Sequence, residues 1–76
     1  MIPPSDEKLI SWYEGKPVQG ARYLLNSAVV ILEGEHQGKV GSVISLESLQ
    51  PTVIYYVEAF DGRAALIEEN HLEPAT

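Results

Sequence analysis

The stretch GEHQGKVGSV, residues 34–43, decides the fold because it places three glycines between two apolar runs. Glycine adopts backbone conformations with positive φ that other residues avoid, so it is favoured where a chain turns sharply. We expect Gly34 and Gly38 to shape a turn between two strands. We expect Gly41, which lies inside the second apolar run, to let that strand bend. The stretch therefore predicts two strands joined by a glycine-rich turn.

Apolar runs rich in branched and aromatic residues continue after these glycines. Turn residues separate the runs: Pro51 disfavours a central-strand position, and Asp61 with Gly62 is typical of a two-residue type I′ hairpin turn. The pattern predicts five strands, over residues 28–33, 39–47, 52–60, 63–69 and 71–73. Short antiparallel strands at this spacing indicate a sandwich or a barrel, and 76 residues are too few for two full sheets. The predicted fold class is mainly β, a small five-stranded barrel.

The N-terminal segment predicts a short helix instead. Ser5 suits the N-cap position and Gly15 suits the end of the helix. Three apolar residues between them fall on one helical face: Leu9, Trp12 and Tyr13. We predict a single domain in which residues 1–27 form a helix and loop that pack on a barrel of residues 28–76.

The longest predicted strand, TVIYYVEAF, carries apolar side chains on both faces. If Tyr55 and Val57 fill the barrel, then Ile54, Tyr56 and Phe60 share the opposite face. We expect the helix to cover this second face and form one composite core, because a small domain needs all of its apolar area. The alternative is that the second face stays exposed and binds a partner.

The acidic charge is concentrated in the second part of the chain. Residues 28–76 hold eight Asp and Glu against two Lys and Arg, and 8 − 2 = 6 accounts for the whole net charge of −6. Surplus acid keeps a small protein in solution, and it also attracts basic partners and repels phosphate. The chain has no cysteine, which excludes a disulfide framework and fits a reducing compartment such as the cytoplasm. Neither a secretory signal nor an apolar run long enough for a membrane span is expected.

The glycine stretch and its flanks match a spaced pattern, V-x-V-x-x-G-x-x-x-G-x-x-G-x-V. Its fixed positions are filled by Val29, Ile31, Gly34, Gly38, Gly41 and Val43. This spacing resembles the KOW motif of ribosomal proteins and transcription elongation factors, and the resemblance implies an SH3-like barrel. The layout is also similar to that of a small peripheral SH3-like subunit of photosystem I, where a short opening strand, a glycine turn and a terminal LE motif recur.

The positions around the glycines depart from the KOW pattern. Members that bind nucleic acid carry mostly Lys and Arg there, whereas here Lys39 is the one fixed cation and Glu35 opposes it. Because affinity for nucleic acid depends largely on phosphate neutralisation, we expect protein binding by a non-catalytic module or accessory subunit, bacterial in style. A KOW-type protein associated with RNA or the ribosome is the alternative. The candidate partner-binding residues are Glu35, His36, Gln37, Lys39, Tyr56 and Phe60.

No pattern in the sequence indicates catalysis. There is no nucleophile elbow, and the glycine stretch lacks the Lys-Ser/Thr ending of a phosphate-binding loop. His36 and His71 are conceivable metal ligands together with Glu33 or Glu35, but they show no ligand spacing. We therefore predict no enzymatic activity, no cofactor and no metal, with the histidines on the surface in turns.

Overall fold

The computed structural model of the protein describes residues 2–75, so Met1 and Thr76, the outer ends of the two predicted segments, lie outside the described residues. The described residues form one α-helix, five strands and one 3₁₀ helix. In chain order they are α1 (Asp6–Tyr13), β1 (Ala28–Ile31), β2 (Val40–Ser48), β3 (Ile54–Ala59), β4 (Ala64–Glu68), the 3₁₀ helix Glu69–His71 and β5 (Leu72–Pro74).

The strands form one antiparallel sheet in the order β4-β3-β2-β1-β5. This architecture confirms the predicted fold class: the protein is mainly β and is compatible with a small SH3-like barrel. β4 and β5, the two ends of the sheet, are joined in the chain by the 3₁₀ helix Glu69–His71. Within residues 2–75, no helix has the length and apolar character needed to cross a membrane.

The glycine turn between β1 and β2 depends on two left-handed residues and one close approach. Gly34 and Gly38 have φ values of +91° and +87°, which an L side chain rarely adopts. Gly41 pairs in register with Val29 on one side and Ala59 on the other, so no β-bulge occurs at this residue, and the expected bend there stays a prediction. The register of β2 shifts farther along, between Val43 and Ser45 and again before Ser48. Gly41 is needed because a Cβ atom there would lie 2.6 Å from the backbone oxygen of Glu58.

The hairpin between β3 and β4 differs from the two-residue type I′ turn that the sequence predicts. The Ala59 N–H donates to the Arg63 carbonyl at 2.7 Å, and the Gly62 N–H donates to the Ala59 carbonyl at 2.9 Å. Three residues therefore form the loop, and only Gly62 among them has positive φ, at +90°. A three-residue loop needs one left-handed residue where type I′ needs two, so Asp61 keeps an ordinary conformation.

Trp12 fixes the N-terminal segment to the inner side of the barrel. It is fully buried, its ring centroid lies 6.4 Å from that of Tyr55, and its Nε1–H donates to the Tyr23 carbonyl at 2.9 Å. The helix was predicted to cover the outer face of β3, which carries Tyr56 and Phe60. This prediction is wrong, because Trp12 packs on the inward face of β3. Tyr56 stays 38% exposed and Phe60 stays 73% exposed. A buried indole needs an acceptor, and the loop between α1 and β1 supplies one at the inner face.

Candidate functional site

A row of side chains crosses the outer face of the sheet from α1 to the edge strand β4. The Tyr13 hydroxyl lies 2.9 Å from the Ser45 hydroxyl of β2. Ser45 pairs with Tyr56 of β3, and Tyr56 pairs with Leu66 of β4. Tyr13 is 48% exposed and Leu66 is 54% exposed. We call Tyr13, Ser45, Tyr56 and Leu66 the outer row.

Strand alternation puts the outer row on the surface. In β3, Tyr55, Val57 and Ala59 are buried, so Tyr56 between them points outward. In β4, Ile67 is buried and its neighbour Leu66 points outward. Residues paired across an antiparallel sheet share one face with Cβ atoms about 5 Å apart, so Tyr56 and Leu66 form a continuous apolar surface.

A cleft of about 300 Å³ begins where the outer row ends. It is lined by residues 33–36 of the turn after β1, by residues 65–68 of β4 and by His71. The His71 Nε2 atom lies 2.9 Å from a Glu33 carboxylate oxygen and 3.8 Å from a Glu68 carboxylate oxygen. Glu35 also lines the cleft, which contains no Lys or Arg. We call it the acidic cleft.

The candidate residues of the turn and the hairpin lie in two places, and Lys39 contacts a residue in each of them. Glu35 and His36 line the acidic cleft. Phe60 lies in the hairpin loop beside Asp61, whose carboxylate accepts a hydrogen bond from the Lys39 ammonium at 2.7 Å.

Gln37 is exposed in the turn, and its N–H donates to the Gly34 carbonyl at 3.1 Å. Tyr56 belongs to the outer row, whose Leu66 also lines the acidic cleft.

Lys39 is paired rather than free. Besides Asp61, its ammonium approaches His36 Nδ1 at 3.2 Å. The hydrogen bond from Lys39 lowers the pKa of the Asp61 carboxyl below its usual value, and the Arg63 N–H acts in the same direction. The Asp61 carboxyl therefore stays charged at neutral pH, and it already holds the one fixed cation of the glycine turn.

The possible metal ligands come closer together than their sequence positions indicate. Glu33, Glu35, His36 and His71 all line the acidic cleft. Among residues 2–75, however, no three His, Cys, Asp or Glu side chains are grouped so that they could hold a metal ion. The contacts that His71 makes with carboxylates in the cleft are those to Glu33 at 2.9 Å and to Glu68 at 3.8 Å.

A hydrogen-bond network that runs from the core to the surface holds the loop before β1 in place. The Tyr55 hydroxyl accepts from the Tyr23 N–H at 3.1 Å and donates to a Glu69 carboxylate oxygen at 2.6 Å. The same Glu69 oxygen accepts from the Arg22 N–H at 2.8 Å. Burial, together with the hydrogen bond to Glu69, raises the pKa of Tyr55 well above its usual value. The network is structural, since it ties Arg22 and Tyr23 of the loop to Tyr55 of β3 and to Glu69.

Sequence reasoning missed Tyr13, Ser45 and Leu66 of the outer row and Glu68 of the acidic cleft. A signal for Leu66 was present, because alternation from the buried Ile67 places it on the outer face. Ser45 carried no such signal, since the shift in register after Val43 changes the alternation of β2. No protein-family model, curated protein or solved structure matches the chain significantly.

Proposed function

We propose that the protein is a small non-catalytic module that binds another protein, as an accessory subunit or regulator. The observation that supports it is the exposed apolar pair Tyr56 and Leu66, which is paired across two strands and extends toward Tyr13 of α1. Exposed aromatic and apolar clusters of this kind mark interaction surfaces. A cytoplasmic setting, expected from the cysteine-free composition, is part of the proposal.

A standard protein interface would cover a modest part of this small protein. A standard interface buries about 800 Å² on each partner. The accessible surface of this protein is 4664 Å², so such an interface would cover roughly a sixth of it (800/4664). The outer row and the acidic cleft share Leu66, and together they supply an apolar centre with a charged rim. This is the arrangement in which interface energy concentrates at central aromatic and apolar side chains.

The charge beside the row favours a basic partner. Glu33, Glu35 and Glu68 line the cleft without a Lys or Arg among them. Complementary charge speeds encounter and selects the partner more than it adds affinity. RNA binding of the KOW type is the alternative function, and the pairing of Lys39 with Asp61 removes the cation that it would use.

The test compares the proteins captured by the tagged wild type with those captured by a tagged variant whose outer row is disrupted. The double variant Tyr56→Ser, Leu66→Ser removes the apolar centre from exposed positions and leaves the core unchanged. The matched control is Ile2→Ser, since Ile2 is 62% exposed and is held beside Gln50 by its backbone. We expect a protein captured by the wild type and by Ile2→Ser to be lost with the double variant. Equal capture by all three, or recovery of RNA alone, would overturn the proposal.

A further inference from the structure

The two ends of the sheet differ in how well they resist a further strand. β5 has three residues and ends with Pro74, which has no N–H to donate, so its edge is poorly suited to pairing. β4 has five residues, AALIE, with neither proline nor lysine, the residues that commonly protect edges. Of the two ends, β4 is therefore the one on which an additional strand can form.

Backbone hydrogen bonds fix which groups of β4 face outward. The Ala59 N–H bonds to the Arg63 carbonyl at 2.7 Å, and the Glu69 N–H bonds to the Val53 carbonyl at 2.8 Å. These two bonds lie at either end of the β3–β4 ladder. In an antiparallel ladder the bonded residues alternate, so residues 65 and 67 also face β3. The N–H and C=O groups of Ala64, Leu66 and Glu68 point away from the sheet.

The acidic cleft runs along this free edge. Residues 65–68 of β4 all line it, although successive side chains of a strand point to opposite faces. A cleft that touches four consecutive residues must therefore lie beside the strand and not on one face of it. Its opposite wall consists of residues 33–36 and His71, which leaves a slot along roughly 13 Å of β4.

We propose that the free edge of β4 binds an extended, basic segment of a partner protein, which adds to the sheet as a sixth strand. This inference rests on the proposed function and states the kind of partner. The backbone of Leu66 and Glu68 would supply the pairing, the Tyr56–Leu66 surface would meet apolar side chains, and Glu33 with Glu35 would meet basic ones. Strand addition of this type combines main-chain hydrogen bonds with side-chain selection.

A second copy of the chain fits this edge poorly. The protein carries a net charge of −6, and its own edge strand β5 brings Glu73 and Pro74. Pairing β5 of one copy with β4 of another would place Glu73 near Glu33 and Glu35. It would also lack one backbone hydrogen bond, because Pro74 has no N–H to donate. Charge complementarity therefore favours a foreign basic strand over self-association.

The test is titration of the ¹⁵N-labelled full chain with the peptide acetyl-KVKVKV-amide, followed by amide hydrogen exchange. We expect binding that weakens with added salt, together with slower exchange of the Leu66 and Glu68 amides, because these N–H groups become paired. Two control peptides are used. In one control, the two central residues are N-methylated. This removes one N–H donor from each hydrogen-bonding edge of the extended peptide and leaves its charge unchanged. The other is acetyl-EVEVEV-amide, which reverses the charge.

N-methylation should weaken binding by about tenfold or more, and the acidic peptide should not bind. Equal binding of the methylated and unmethylated peptides would show attraction by charge alone and would overturn strand addition. Absence of binding by the basic peptide, or protection of the Leu66 amide in the free protein through self-association, would also overturn it. The proposed function fails separately, when the Tyr56→Ser, Leu66→Ser variant captures the same protein as the wild type.

The variant Leu66→Pro tests the same edge from the side of the protein. The Leu66 N–H is not bonded to β3, so proline there removes a free donor without removing a bond of the sheet. We expect a folded variant with unchanged circular dichroism that no longer binds the basic peptide. Full binding by this variant would contradict the proposal, and the methylated peptide provides the equivalent test if the variant does not fold.

Discussion

Trp12 has the largest fully buried side chain among the described residues, and replacing it with alanine removes that side chain from the core. The ring packs 5.2 Å from Tyr13 and 6.4 Å from Tyr55, measured between centroids, and its N–H satisfies the Tyr23 carbonyl. Truncation of a buried tryptophan to alanine costs about 3–5 kcal/mol. A chain of 76 residues has a free energy of unfolding of roughly 4–11 kcal/mol, at about 0.05–0.15 kcal/mol per residue. We expect Trp12→Ala to lose a large part of that stability.

Urea denaturation followed by far-ultraviolet circular dichroism measures this loss, since the signal does not depend on the tryptophan. Trp12→Phe keeps most of the apolar volume but leaves the Tyr23 carbonyl without its donor, and we expect a loss of about 1–3 kcal/mol. Ile10→Ala is the control on the same helix, because Ile10 is 61% exposed, and its effect should stay within about 0.5 kcal/mol. The reasoning is refuted if Trp12→Ala unfolds within about 1 kcal/mol of the wild type, as an exposed residue would.

Three further predictions concern the core, pH and nucleic acid. Gly41→Ala should destabilise the protein by about 1–3 kcal/mol in urea melts, because its Cβ would collide with the Glu58 backbone, whereas Ser42→Ala should have little effect. The pKa of Tyr55 is raised above its usual 10.0, so the unfolded chain loses the hydroxyl proton at a lower pH than the folded protein. The free energy of unfolding should therefore fall as the pH rises above about 10. Urea midpoints measured at rising pH should fall less in Tyr55→Phe than in the wild type. RNA should bind no more tightly than the roughly 10⁻⁴–10⁻⁶ M of non-specific contact in fluorescence anisotropy, and tight, salt-sensitive binding would favour the KOW-type alternative.

The strand pattern was predictable because it depends on local chemistry. Runs rich in branched and aromatic residues marked the first three strands, and Gly34 and Gly38 marked the turn between the first two. The Asp61-Gly62 turn marked the fourth strand as the partner of the third, and the fifth followed the next turn. The sequence correctly predicted a hairpin at Asp61 and Gly62, but it predicted a two-residue loop where the structure has three residues. Asp-Gly suits both a two-residue and a three-residue loop, and the choice depends on which residues of the two strands pair.

The position of the helix depended on contacts that the local pattern does not encode. Trp12 was expected to be buried, and it is, but its partner proved to be Tyr55 on the inner face. The deciding feature is the Tyr23 carbonyl, which lies in a loop without regular secondary structure and accepts the indole N–H. The acidic cleft also depends on contacts between distant parts of the chain, because it brings residues 33–36 together with residues 65–68. The local sequence pattern therefore did not predict it.

The central claim, that a partner protein docks on the outer row, is tested most directly by photo-crosslinking in cells. The photoreactive residue p-benzoylphenylalanine replaces Tyr56 in one variant and Ile2 in another, since both positions are exposed and lie on different parts of the chain. We predict a discrete crosslinked protein from position 56 that is absent from position 2. The same product at equal yield from both positions, or crosslinks to nucleic acid alone, would contradict the claim.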